Sequence, residues 1–201
     1  MKTHPAIALI ECSGIAAGLV AADAMIKSAP ISVLKTGTIH RGKYLILVGG
    51  SVASIEESYH RGLASGGVQI VDHLFLPDVH PRVYDAILGK RFQCTGESLG
   101  VIETTTVASV IKSADAGMKG TWVELVELRT GDGLGGKAFA LFSGKLEEVE
   151  TALHLAREAV TISEFRGNIT LIPRIHPDLV DQIDITTRFS KMDMKNLEGG
   201  E

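Results

Sequence analysis

Hydrophobic and polar positions along the chain spell the same series of elements twice. Ala6 to Cys12 is a short apolar run that reads as a buried strand. From Ile15 onward the apolar residues Ile15, Leu19, Ala22 and Ile26 recur at helical spacing, and Asp23 stands four residues before Lys27, the order that supports a helix. Pro30 ends that helix. A strand is expected around Ile31 to Lys35, then a glycine-containing loop, then a strand from Tyr44 to Val48. Ser51 is a plausible N-cap for a second helix carrying Val52, Ile55, Tyr59 and Leu63. Gln69 to Leu76 reads as a strand leading into a short helix opened by His80 and Pro81, with proline in the first turn.

The second half repeats this string. Ile10-Glu11 matches Ile102-Glu103, Ala22-Asp23 matches Ala114-Asp115 and Lys27 matches Lys119, all at an offset of 92. Val107, Ile111, Ala114 and Met118 copy the first helix face. The offset grows to 94 at Gly42-Lys43 and Gly136-Lys137, and to 96 where Leu76 to Pro81 matches Ile172 to Pro177. Both increments fall in expected loops, as in a tandem duplication that has drifted. Each copy is β-α-β-β-α-β plus a short helix. The fold class is therefore α/β (α+β), with two tandem ferredoxin-like domains at 4–90 and 97–186. A linker from about Lys90 to Gly96 joins them, and 187–201 forms a polar tail expected to be mobile.

Composition narrows the function classes. The 201 residues are 45% hydrophobic and 22% charged, an ordinary globular balance. A formal net charge of −4 argues against a general nucleic-acid binder. Cys12 and Cys94 are far apart and in no CxxC pattern, which suits a reducing cytoplasm. The first residues lack the long apolar core of a secretory signal, and the apolar stretch from Ile15 meets Asp23 too soon to span a bilayer, so no membrane association is expected. Mean hydropathy is +0.19 with only 5% aromatics, which suggests surface buried against partner chains. Residues 1–96 carry a net charge of +2 and residues 97–186 of −6, so domains alternating around a ring would alternate in field.

Several motifs look chemical. Gly37 to Lys43 and Gly131 to Lys137 both read G-x-x-x-x-G-K, most of a P-loop. The next residues, Tyr44 and Ala138, each open a strand, so neither the magnesium-binding hydroxyl nor the phosphate-cradling helix is there. His80 and His176 are duplicated before proline at expected helix starts, which favours capping over catalysis. Glu11 and Glu103 are strand-end carboxylates, better suited to bonding a backbone amide than to acting as bases. His40 has no histidine counterpart in the second loop and could ligate metal only if symmetry gathers several copies. No serine or cysteine stands in a nucleophile motif.

These residues together resemble a known family. Ala6 to Glu11, Ala21 to Ala29, Gly42-Lys43 and Gly49-Gly50, repeated as Leu99 to Glu103, Ser113 to Lys119, Gly135 to Lys137 and Ile172 to His176, are similar to the bacterial microcompartment (BMC) shell domain. The likeness covers about residues 6–185. Each copy begins with the strand carrying the Ile-Glu pair, which is similar to the unpermuted tandem shell proteins of propanediol-utilisation compartments. The resemblance implies a non-enzymatic structural protein of the shell in the bacterial cytoplasm. Three chains would form a pseudohexameric tile with a central pore for metabolites. Its partners would be two further copies, other shell proteins edge to edge and enclosed enzymes, with neither nucleic acid nor membrane. Tile-edge contacts would fall to Lys27, Lys119, Arg174, His80 and His176. Asp78 stands where the first copy would match Arg174, so its edge contacts must differ. The pore would be lined by Thr38, Ile39, His40, Arg41 and Gly42 from one copy, and by Asp132, Gly133, Leu134, Gly135 and Gly136 from the other.

Close relatives hold an iron–sulfur cluster through a cysteine in the first loop. His40 occupies that place here, so no cofactor is expected. A three-fold His40 ring would instead suit another metal, and a metal- or electron-conducting pore is the alternative to a plain metabolite pore. A ligand-sensing enzyme or regulatory protein with ferredoxin-like domains is a further alternative.

Overall fold

The computed structural model describes residues 5–160, 167–195 and 197. The first repeat runs β1 (Ala6–Cys12), α1 (Ile15–Ser28), β2 (Val33–Thr38), β3 (Tyr44–Gly50), α2 (Val52–Gly66), β4 (Ile70–Leu76) and α3 (Pro81–Ile87). The second runs β5 (Ser98–Thr104), α4 (Val107–Gly120), β6 (Glu124–Thr130), β7 (Ala138–Gly144), α5 (Leu146–Glu158), β8 (Gly167–Ile172) and α6 (Pro177–Ile185). The four-stranded antiparallel sheets have matching orders, β2-β3-β1-β4 and β6-β7-β5-β8. The expected mixed α/β arrangement is thus present in both copies.

One expected boundary shifts. The second strand spans Val33–Thr38 rather than Ile31 to Lys35, because pairing with β3, from Val33 opposite Gly49 to Thr38 opposite Tyr44, decides where extended backbone is rewarded. Ser51 caps α2 as expected, its hydroxyl accepting from the Ser54 N–H at 3.3 Å.

Side chains alternate across β1. Ala6, Ala8, Ile10 and Cys12 face α1 and α2 in one core, whereas Ile7 and Leu9 turn to the other face. That second face is not solvated: α3 and α4 cover it, so Ile7, Leu9 and Leu47 share one continuous core with Val107, Ile111 and Met118. The two repeats are therefore packed face to helix within the chain.

The connecting segment is tied down on the second repeat. The Phe92 N–H donates to the Val126 carbonyl at 2.9 Å, Cys94 N–H to Asp184 at 2.8 Å and Gly96 N–H to the Ser143 hydroxyl at 2.8 Å. The tail expected to be mobile makes contacts as far as Lys195. Thr187 bonds Glu127 at 2.8 Å, and Lys195 pairs with Asp178 and Asp181, each at 2.6 Å. Residues 198–201 lie outside the described residues. Among the described residues no helix is long and apolar enough to cross a membrane.

Candidate functional site

Each glycine loop joins two neighbouring strands. Thr38 closes β2, and Ile39 leads into a single helical turn, His40–Gly42, shut by the Ile39 N–H donating to the Lys43 carbonyl at 2.9 Å. Arg41 sits in the left-handed region at φ 68°, the only non-glycine among the described residues to do so. In the second loop Gly131, Gly133, Gly135 and Gly136 take the positive φ values that its tight path demands. The loops meet: the Gly133 N–H donates to His40 Nδ1 at 3.1 Å, and a Cβ on Gly131 would come within 2.8 Å of Ile39. The ten residues expected to line a pore are thus carried on two adjoining loops.

The P-loop-like lysines serve the fold. Lys43 pairs with the fully buried Glu11 at 2.6 Å, and Lys137 with Glu103 at 2.8 Å. Burial raises the Glu11 carboxyl above its ordinary value, against the lowering effect of Lys43.

The loops do not fit an iron–sulfur cluster. They carry His40 and Asp132 but no thiol, while Cys12 and Cys94 are buried in β1 and in the connecting segment. No group of three histidine, cysteine or carboxylate side chains able to hold a metal occurs among the described residues.

The junction between repeats is a polar clamp around an apolar seam. The second Glu11 oxygen accepts the Val107 N–H at 2.8 Å, at the first turn of α4, where backbone donors lack intrahelical partners. Asp72 on β4 accepts the hydroxyls of Thr106 at 2.5 Å and Ser109 at 2.8 Å. Asp115 accepts the His80 N–H at 2.8 Å, Arg82 pairs with Glu124 at 3.0 Å, and Lys119 donates to the Asp78 carbonyl. Sequence reading missed Asp72, Thr106 and Ser109, because they become partners only when the repeats pack.

His80 and His176 are caps, as their position before proline suggested. His80 Nδ1 accepts from the Arg82 N–H at 3.2 Å and His176 Nδ1 from the Asp178 N–H at 3.3 Å. Burial lowers the His80 imidazole below its usual range, consistent with a ring nitrogen held as an acceptor. Lys27 is exposed and pairs with Asp23 at 2.6 Å, whereas its counterpart Lys119 pairs with Asp115 at 2.6 Å and reaches the other repeat. Arg174 is exposed.

The α1 surface differs most between the copies. Ile15 and Leu19 are 45% and 53% exposed, while Val107 and Ile111 at the same places on α4 are wholly buried against the first sheet. Ile26 is likewise open where Met118 is covered.

Two four-stranded α/β units with paired glycine loops define a tandem fold, and the BMC domain model matches residues 6–79 and 98–175. The chain belongs to the BMC-domain family, with two copies in tandem. It is 34% identical over 178 residues to the bacterial microcompartment shell protein PduT of Citrobacter freundii, covering 89% of this chain and 97% of that protein. It is 25% identical over 198 residues to the carboxysome assembly protein CcmO of Synechocystis, covering 90% of this chain and 65% of CcmO. A crystal structure of a microcompartments protein from Desulfitobacterium hafniense superposes with a TM-score of 0.75 at 34% identity, covering 88% of this chain and 98% of that one.

Proposed function

We propose that the chain is a structural shell protein of a bacterial microcompartment, and that three copies close into a pseudohexameric tile of repeats 4–90 and 97–186. One observation carries this reading: α4 is buried on the first sheet of its own chain, while the same face of α1 is open. Repeating the internal junction sets α1 of one copy on the second sheet of the next, and closure after six domains uses three chains. Glu103 would then receive the Ile15 N–H of a neighbour as Glu11 receives that of Val107.

The internal junction is the more polar of the two. By strand register Asn168 stands opposite Glu103 as Asp72 stands opposite Glu11. Gly14 and Ala17 replace Thr106 and Ser109 at the repeat offset. The contact between chains therefore relies on apolar burial of Ile15, Leu19 and Ile26.

In such a ring the two glycine loops alternate about the axis and line a pore for metabolites. His40 and Arg41 bias it toward anions, while the Gly133–Gly136 stretch keeps it open. Lys27, Lys119 and Arg174 lie at the tile rim, with His80 and His176 shaping the segments beside them, and the rim packs against other shell proteins. The tile acts without catalysis, in the cytoplasm, around enzymes it encloses.

Native mass spectrometry of the full chain tests this. The expected species has three times the 21.4 kDa chain mass, and Leu19→Asp reduces it to a monomer. A wild-type chain that stays monomeric or dimeric at every concentration overturns the proposal.

A further inference from the structure

A polar cavity of about 240 Å³ opens where the end of α3, the connecting segment, β6 and the start of the tail converge. Its charged lining is mostly cationic. Lys90 and Arg91 are already engaged: Lys90 pairs with Asp85 at 2.8 Å, and Arg91 pairs with Glu127 at 3.2 Å and donates to the Asp184 and Ile185 carbonyls at the end of α6. Lys35, Arg129 and Arg188 are not engaged in this way. Among the described residues none of the three has a carboxylate within ion-pairing distance.

Arg129 is the most telling of these. Its two terminal nitrogens donate only to neutral oxygens, the Thr187 hydroxyl at 3.2 Å and the Asp132 carbonyl at 3.4 Å. Its Nε is buried without a hydrogen-bond partner, and so is that of Arg91. Burial, and then the neighbouring Arg188 charge, push the Arg129 guanidinium below its usual range, against the raising effect of Glu127 on the same wall. Asp132 lines the cavity as well, so three unpaired cations face one unpaired carboxylate. The half-buried Arg129 guanidinium, set beside the exposed Arg188 and Lys35, gains from an anion that all three can reach. Planar guanidinium donors suit the paired oxygens of a phosphate or carboxylate.

We propose that this recess beside the second glycine loop binds a small oxyanion, a phosphate- or carboxylate-bearing metabolite, through Arg129, Arg188 and Lys35. Arg129 bonds the Asp132 carbonyl, so occupancy of the recess bears directly on the loop that carries Asp132 to Gly136. One chain supplies the whole lining, so the site does not depend on assembly, and a Leu19→Asp chain keeps it.

Calorimetric titration of the full chain at low ionic strength, with inorganic phosphate and with succinate in separate runs, tests the proposal. Saturable binding of at least one of them, at one anion per chain, is expected. Arg188→Ala and Lys35→Ala change exposed residues and leave the fold intact, and each is expected to weaken binding about tenfold or more. Arg41→Ala, in the first loop, is expected to leave it unchanged. Tighter phosphate binding assigns a phosphorylated ligand, and tighter succinate binding a carboxylic acid. Absence of saturable binding by either anion overturns the site, as does binding lost in Arg41→Ala and kept in Arg188→Ala.

Discussion

The Glu11 carboxylate accepts the Val107 N–H at 2.8 Å through one oxygen and pairs with Lys43 at 2.6 Å through the other. A strand end of one repeat thereby holds the first helical turn of the next. Removing Lys43 leaves a buried carboxylate with a single backbone donor. In the monomeric Leu19→Asp chain, where no neighbour covers Glu103, Lys43→Met is expected to cost about 3 kcal/mol in urea unfolding, whereas Lys137→Met, beside the half-exposed Glu103, is expected to cost about 1 kcal/mol or less. Equal losses would contradict this account of the buried pair.

Glu11 also sets a pH dependence. Its folded pKa is raised by burial, so between the ordinary carboxylate range and that raised value the native state holds more protons than the unfolded one. Stability contributed by this group therefore falls as pH rises through that window. Unfolding free energies of the wild type, taken relative to Glu11→Gln, are expected to decline with increasing pH from below 4.5. A rising difference would reverse the sign and refute it.

The cap at His80 works in the opposite sense. Its folded pKa is lowered, chiefly by burial, against the raising effect of Asp115. The unfolded state then binds the proton more readily, and stability is lost as pH falls from 6.5 toward the folded value. His80→Asn retains a capping acceptor and is expected to flatten thermal-melt midpoints across that interval. The neighbouring charges Asp78, Arg82 and Lys119 remain in both proteins.

Gly18 and Tyr44 form a volume pair. A Cβ on Gly18 would lie 2.4 Å from the Tyr44 ring, and at the equivalent places the second repeat has Val110 and Ala138, both buried in its core. Gly18→Val is expected to destabilise by about 2–3 kcal/mol through overpacking. Combining it with Tyr44→Ala is expected to cost less than the sum of the single changes by at least about 1 kcal/mol in a double-mutant cycle. Strict additivity would show that the two sites do not share space.

Arg41 is held at φ 68°, where a glycine carries no steric penalty. Arg41→Gly is expected to leave stability unchanged or raise it by up to about 1 kcal/mol, and to abolish the anion preference of flux through assembled tiles. A destabilised variant with unaltered preference would place the value of Arg41 in the fold rather than in the pore.

Much of this protein was written in the order of its residues. Two copies of β-α-β-β-α-β, the helix faces of α1 and α4, the caps at Ser51, His80 and His176, and the strand context that disqualifies a P-loop all depend on local spacing, which a linear reading can see. The register of β2 did not, because hydrogen bonding to β3 overrides a short apolar run. Nor was the docking of the tail as far as Lys195 legible, since its polar residues find partners on α6.

The candidate sites divide along the same line. The glycine loops could be picked out because positive φ values favour glycine, as at Gly42, Gly131, Gly133, Gly135 and Gly136, Arg41 being the exception. The contact of Gly133 with His40, the clamp from Asp72 to Thr106 and Ser109, and the gathering of Lys35, Arg129 and Arg188 around one recess join residues dozens of positions apart. Sequence alone determined the repeat and the apolar stripe that the first helix of each copy carries, although within the chain α1 buries Gly18, Ala21, Ala22 and Met25 and leaves Ile15, Leu19 and Ile26 open. Which of two similar helix faces is covered within the chain, and which is left open, was decided only when packing placed α4 on the first sheet, because a duplicated pattern offers both the same partner and chain connectivity supplies it to one.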